Sequence, residues 1–257
     1  MPLRRLLPLL ALVLLALPAS AGTALPEEAV RADEAGAAGA HASTSSLARL
    51  AAGRVIRTRR SWTCTGRLRR YGRLPIKVIS NMPNPGNGDA IRLIGCRGDG
   101  NRRTVDLILD VNGNRRGRGT AFDAVRIGQN SRDLVVTGDV ECGRRHRNPS
   151  IHQDTVQVLS GRNIVFRRFT SGNPRRGRWT CWGAGGGWFI AWANGRIPRS
   201  VICSRCRIAT FNQGMRLHNS IHSGARRSIF GFSRSFGIFI GPEARRPVNE
   251  RNHVRRF

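Results

Sequence analysis

Apolar positions along this chain come in short alternating bursts, with no sustained helical period. One line recurs as Asp89-Ala-Ile-Arg-Leu93, Asp123-Ala-Val-Arg-Ile127 and Asp154-Thr-Val-Gln-Val158, at spacings of 34 and 31 residues. A degenerate continuation follows at Gly214-Met-Arg-Leu217 and Gly237-Ile-Phe-Ile240. After each of these comes a basic residue, a small polar turn former and a short β-branched or aromatic run. That second line begins at Arg103, Arg132, Arg162, Arg199 and Arg227. Strands entered from tight turns carry this signature. Several short strands per ~30-residue repeat, with Gly, Asn and Ser at the corners, predict a stack of parallel coils.

The predicted fold is therefore all-β, a right-handed single-stranded parallel β-helix (solenoid) of about six coils over residues 61–257. Like positions would stack at about 4.8 Å. Val125, Ile127, Val156, Val158, Met215, Leu217, Ile238 and Ile240 would then face the core. Arg92, Arg126, Gln157 and Arg216 would face outward from the same sheet, and the five arginines opening the second line would form a basic ladder.

The N-terminus changes the picture of where this domain works. Arg4 and Arg5 precede the apolar run Leu6 to Leu17 and the small residues Ala19-Ser20-Ala21, the pattern of an export signal comprising residues 1–21. The run falls short of the ~20 apolar residues a membrane span needs, and Pro8 interrupts it. Residues 22–60, rich in Ala, Gly, Ser and Thr, read as a linker or N-terminal cap, with a short amphipathic helix near Ser45 to Leu50. A secreted location follows, and with it disulfide-permissive conditions. Cys64, Cys96, Cys142, Cys181, Cys203 and Cys206 form an even set and are disulfide candidates. The Cys203-x-x-Cys206 pair alone would also suit half a zinc site or a redox motif, but a second pair is missing.

The formal net charge is +29, nearly all of it arginine, Lys77 being the single lysine. Such a field concentrates anionic partners, although scattered surface charge produces the same total.

The segment His152-Gln-Asp-Thr-Val-Gln157 followed by Gly161-Arg-Asn-Ile-Val-Phe166 resembles the repeat of right-handed β-helix proteins of the pectate-lyase-like superfamily. Exported bacterial members are the nearest in pattern, sharing Phe189-Ile190, Val201 to Cys206 and Ser223 to Arg226. The resemblance covers about residues 61–252 and implies the fold, while lyases, hydrolases, epimerases and adhesins all use that scaffold. The Asn-Thr-Asp, Asp-Asp, Gly-His-Gly and Arg-x-Lys motifs of pectin hydrolases do not occur here, which speaks against the paired-carboxylate chemistry of inverting hydrolysis.

A polyuronate lyase needs a cation to neutralise the uronate carboxylate and a base for the adjacent proton. His152 is the candidate base, because its ordinary pKa lets it accept a proton near neutrality. Asp154 and Asp123 are candidate orienters, or ligands for calcium, the one cofactor the pattern admits; a single column supplies fewer than its six to eight oxygens. The same aspartates, at strand starts, suit a structural role as acceptors of turn amides. Arg126, Arg162 and Arg132 are candidate carboxylate readers. Trp182, in the Gly-rich segment 172–187, would stack on a sugar ring or bury itself as a cap. His218 and His222, four apart, would pair as ligands only on a helix, and the line there reads as strand and turn. The expected partner is an acidic polysaccharide or other anionic polymer, met by a monomer. It is acted on by a lyase or held without catalysis; nothing indicates a specific nucleic-acid reader.

Overall fold

The computed structural model describes residues 53–81, 88–112, 123–141, 154–172, 186–191, 196–210, 213–232 and 236–256. All belong to one compact unit, Ser46–Phe257. Nineteen strands among them form a single curled, all-parallel sheet with a solenoid-like pairing pattern, and the described residues contain no α-helix. The one short helical turn, Leu68–Tyr71, is 3-10.

Three ladders make up this sheet. The first stacks β2 (Trp62–Arg67), β4 (Ile91–Arg97), β6 (Val125–Gly128), β8 (Val156–Val158), β11 (Gly186–Ile190), β14 (Gln213–Leu217) and β17 (Ile238–Ile240). Of these, β4, β6, β8, β14 and β17 are the strands of the Asp-Ala-Ile-Arg-Leu line and its continuation, and β2 and β11 join them by register. The second joins β7 (Arg132–Glu141), β9 (Arg162–Arg167), β12 (Arg199–Ser204), β15 (Gly224–Arg226) and β18 (Val248–Glu250). The third opens with β1 (Arg54–Thr58), β3 (Ile76–Ser80) and β5 (Leu107–Asn112), and the C-terminal half of β7 continues it. It then runs through β10 (Thr170–Ser171), β13 (Arg207–Ala209), β16 (Ile229–Phe232) and β19 (His253–Arg256). The strand β1 lies inside the stretch whose composition reads as linker or cap, so the sheet starts ahead of Trp62. The segment around Ser45 to Leu50 lies outside the described residues.

The long strand β7 belongs to two ladders, pairing with β9 through Arg132 to Val136 and with β5 through Val136 to Glu141. Gly138 makes that passage feasible. Its φ is 147°, and a Cβ there would meet the Leu109 carbonyl oxygen at 1.9 Å. Elsewhere the bends use left-handed backbone. Asp133, Asn163 and Ser200, the small turn formers of the second sequence line, have φ of 57°, 54° and 53°, a region in which short polar side chains are tolerated.

Period-2 alternation sends one residue set inward, where successive coils place like on like. Val125, Val156, Trp188 and Met215 form one fully buried column of the first ladder, and Ile127, Val158, Ile190 and Leu217 another. Ile238 and Ile240 depart from the expectation of burial: Ile238 is half-buried and Ile240 is 38 % exposed. Among the described residues no strand stacks beyond β17, so its inward face lacks a neighbour on one side. Mid-stack, the rings of Phe166, Phe169 and Trp188 meet edge to face, with centroids 4.4 to 5.6 Å apart. Trp188 is thus core and takes no part in a surface site.

Two disulfides are described. Cys64–Cys96 joins β2 to β4, and Cys203–Cys206 spans the bend after β12 with both residues buried. The Cys-x-x-Cys pair is therefore committed to itself and offers no thiolate to zinc. Cys142 and Cys181 lie outside the described residues. No helix among the described residues is long and apolar enough to cross a membrane.

Two stability outcomes follow. Phe166→Ala should cost about 3–5 kcal/mol, as for other buried aromatics. Replacing both Cys64 and Cys96 by Ser should cost about 3–4 kcal/mol, the loop-closure entropy for their separation of 32 residues. Urea denaturation of each variant measures both values.

Candidate functional site

The outer side of the bend between the first and second ladders carries a continuous basic groove. Arg92 and Arg126 stand in register on β4 and β6 and project from the face opposite the core, Arg92 exposed and Arg126 half-buried. The chain then turns through Gln129 and Asn130, with φ of 47° and 61°. Ser131 locks this turn from inside. Its buried hydroxyl donates to the Leu93 carbonyl at 2.8 Å and accepts the Cys96 amide at 3.1 Å. Arg132 follows at once, and its backbone lies in register with Arg97 on one side and Arg162 on the other. Arg199 extends the column.

Two adjoining cavities occupy this bend. One, of about 570 Å³, is lined by Arg92, Arg126 and Arg196 with Ile94 and Leu159. The other, of about 410 Å³, is lined by Arg132, Arg162, Arg196 and Arg199 with Ile197. Asn130 and Arg196 line both. Charge compensation is uneven along the groove. Asp89 sits 3.7 Å from Arg92 and 3.9 Å from Arg126, and Asp133 lies 3.7 Å from Arg132. Among the described residues no acid pairs with Arg162, Arg196 or Arg199. Stacked guanidinium groups about one coil apart, at ~4.8 Å, repel one another unless an anion intervenes.

The structure thus brings Arg126, Arg132 and Arg162, the candidate carboxylate readers, to one place. Asp123 and Asp154 go elsewhere, inside the turn that enters each first-ladder strand. They are 3 % and 1 % exposed and continue a column from Asp89. The Asp123 amide donates to Asp89 Oδ1 at 3.3 Å, and the Asp154 amide donates to Asp123 Oδ1 at 2.9 Å. Burial pushes the Asp123 carboxyl well above the usual carboxylate range, the neighbouring Asp154 adds to the rise, and the amide bond opposes it. Asp89 is raised by burial too, with Arg126 pulling against the shift. Asp106, which no repeat singles out, does similar work beside the second ladder, accepting the amides of Val135 at 2.8 Å and Asp99 at 3.1 Å. Each such carboxylate ties one coil's turn to the next.

His152 and Trp182 lie outside the described residues. The basic ladder differs in composition from the expectation. Arg103 sits in the connection before β5, and Arg227 stands at the bend after β15, so neither joins Arg132, Arg162 and Arg199; Arg97 does. Arg97 and Arg196 were not legible as site residues, because neither opens a β-branched run. His218 and His222 do not converge. His218 accepts from Arg216 Nε at 2.6 Å and lies 3.6 Å from Glu243, while His222 occupies a bend at φ 49°. No group of three or more His, Cys, Asp or Glu side chains among the described residues could hold a metal ion.

Comparison with protein-family models, curated proteins and solved structures finds no match for this chain.

The Asp column generates a signed pH expectation. Because the folded pKa of Asp123 lies above its unfolded value, its contribution is fully favourable below the unfolded carboxylate range of ~3.9 and is lost as pH rises towards the folded pKa. Asp123→Asn retains the acceptor without the charge. It should be at least as stable as the parent near pH 7 and flatten the fall in stability above pH ~4. Asp123→Ala orphans the Asp154 amide and should cost about 1–3 kcal/mol. Thermal unfolding of the variants across pH checks both.

Proposed function

We propose that this chain is an exported right-handed parallel β-helix protein of about six coils, of the pectate-lyase-like kind, that holds an acidic polysaccharide along the arginine groove. The observation that carries the reading is the in-register stack of Arg132, Arg162 and Arg199, joined by Arg196 in one groove in which three of the four have no described acid to pair with. A guanidinium presents parallel N–H groups that match a carboxylate bidentately. A polymer carrying a carboxylate on each unit would relieve the repulsion of the column at several coils together. Among the described residues the lining is arginine with Ile94, Leu159, Ile197 and the polar Gln129, Asn130 and Ser160, and it includes no aromatic ring on which a nucleobase would stack. The export-signal pattern and the two disulfides support action outside the cytoplasm.

Binding without elimination is the form of the reading favoured by the aspartates. In the lyase form, Asp123 and Asp154 would serve His152, but Asp123 is buried and engaged with a backbone amide. Calcium would enter only as a bridge between polymer and protein acids.

The test is co-sedimentation of the signal-free protein with polygalacturonate, with and without calcium, while absorbance of unsaturated uronates is followed in the same tubes. Arg162→Gln with Arg199→Gln should weaken binding at least tenfold, since a lost charge-assisted bond is worth about 1.5–3 kcal/mol. Unchanged affinity, or no binding by the parent, overturns the reading. Absorbance growth abolished by His152→Ala would replace it with the lyase form.

A further inference from the structure

The opposite edge of the second ladder carries another arginine column, of which the repeat in the sequence announces Arg227 alone. The pairs Arg167 with Ser204, Ser204 with Arg226 and Arg226 with Glu250 are in register. The next residue of each coil is arginine: Arg168, Arg205, Arg227 and Arg251. Their amides continue the ladder, Arg168 to Ser204 O at 2.9 Å, Arg205 to Arg226 O at 3.0 Å and Arg227 to Glu250 O at 2.8 Å.

All four adopt the left-handed backbone region, with φ of 49°, 56°, 50° and 51°. Glycine or asparagine suits that region, and arginine gains nothing from it locally. The other bend of the same ladder uses Asp133, Asn163 and Ser200, so the fold accommodates small polar residues in this conformation. Arginine on four successive coils therefore adds backbone strain to like-charge repulsion at a spacing of ~4.8 Å. Both costs are offset where a polyanion lies along the column.

A cavity of about 1060 Å³ opens at its Arg168 end, lined by Arg73, Arg103, Arg167 and Arg168 with Leu74 and Val105. Two of the cations nearby have structural work. Asp99 holds Arg69 through two bonds of 2.7 and 2.6 Å, and the Arg167 guanidinium donates to the Arg102 and Arg103 carbonyls. Among the described residues Arg73, Arg103 and Arg168 have no acid partner.

The coils of β9 and β12 carry one arginine of each column, Arg162 with Arg168 and Arg199 with Arg205. The members of each pair are six positions apart with a left-handed bend at Asn163 or Ser200 between them, which sets their separation at no more than about 20 Å at ~3.3 Å per residue. The near-buried Val165 and Ile202 lie between them. A chain running along one column leaves the other free.

We propose that these columns are two separate tracks and that one molecule holds two acidic polysaccharide chains at once, cross-linking them. This rests on the reading given under Proposed function and extends it from binding to bridging. The probes are a short oligogalacturonide for calorimetric stoichiometry and long polygalacturonate for light scattering. The parent should bind two oligomers and raise scattering. The variant Arg168→Asn, Arg205→Asn, Arg227→Asn and Arg251→Asn should bind one and fail to raise it. Asparagine suits the left-handed bend, so this variant should melt no lower than the parent. A charge-matched control lacking Arg57, Arg59, Arg60 and Arg67 should keep both oligomers and the scattering, separating bridging from bulk charge neutralisation. One oligomer per parent molecule, or cross-linking retained by the column variant, overturns bridging alone. No binding by the parent overturns the underlying reading and bridging with it. Preference for an oligodeoxynucleotide of equal charge overturns the polysaccharide assignment.

Discussion

The rest of the structure depends on the parallel backbone ladder, which sets each coil one strand spacing above the last and holds equivalent residues in line. Register between coils is close to strict. β6 lies over β4, and β8 over β6, without a shift. Whatever property a position has is therefore multiplied by the number of coils, for benefit or cost. Inward, multiplication builds continuous apolar columns whose burial opposes the conformational entropy of ordering so many short strands. Outward, it multiplies arginine, and the same hydrogen bonds that favour the core force like charges together.

Carboxylates resolve part of that conflict, at a different depth from the arginines. Asp89, Asp123 and Asp154 sit buried inside the turns, and Asp89 and Asp123 accept backbone amides there, so they lie deeper than the arginines of the groove. Asp89 lies within 4 Å of two arginines, Arg92 and Arg126, at the end of the first-ladder groove. Acid pairing among the described residues consequently falls away along the bend, from Arg92, Arg126 and Arg132 to Arg162 and Arg199. The buried acids and the groove arginines are neighbours in sequence yet lie at different depths.

Sequence pattern reveals the first ladder most clearly, because Asp-Ala-Ile-Arg-Leu and its successors couple an apolar alternation to a distinctive turn acid. The second line is harder to read. A basic residue, a bend and a β-branched run occur at both edges of the second ladder, so local sequence does not say which bend an arginine occupies. Arg132, Arg162 and Arg199 fall at one edge and Arg227 at the other for that reason. Arg97 enters the column through register alone, since Gly98 follows it where the others have a turn former and a β-branched run. The acceptor role of the Asp column is legible from its place at the strand starts, and Asp89 and Asp123 do accept the turn amides of the next coil; the cavities are not legible, because they depend on how far each connection folds back over the sheet. His152 and Trp182, which pattern picks out for chemistry, fall outside the described residues.

The two ends of the stack are built differently. Near the first coils, Cys64–Cys96 ties neighbouring strands covalently and the 3-10 turn buries Leu68. Exposed apolar side chains occur at both ends of the described stack, Val55 on β1 and Phe239, Ile240 and Val254 at the far end, but only the first coils carry a described disulfide between strands. A stack whose coils contact only their neighbours loses them from a terminus inward, and here one terminus is stapled. Among the described coils, separation should then be harder at the stapled pair β2 and β4 than between coils held by backbone bonds alone.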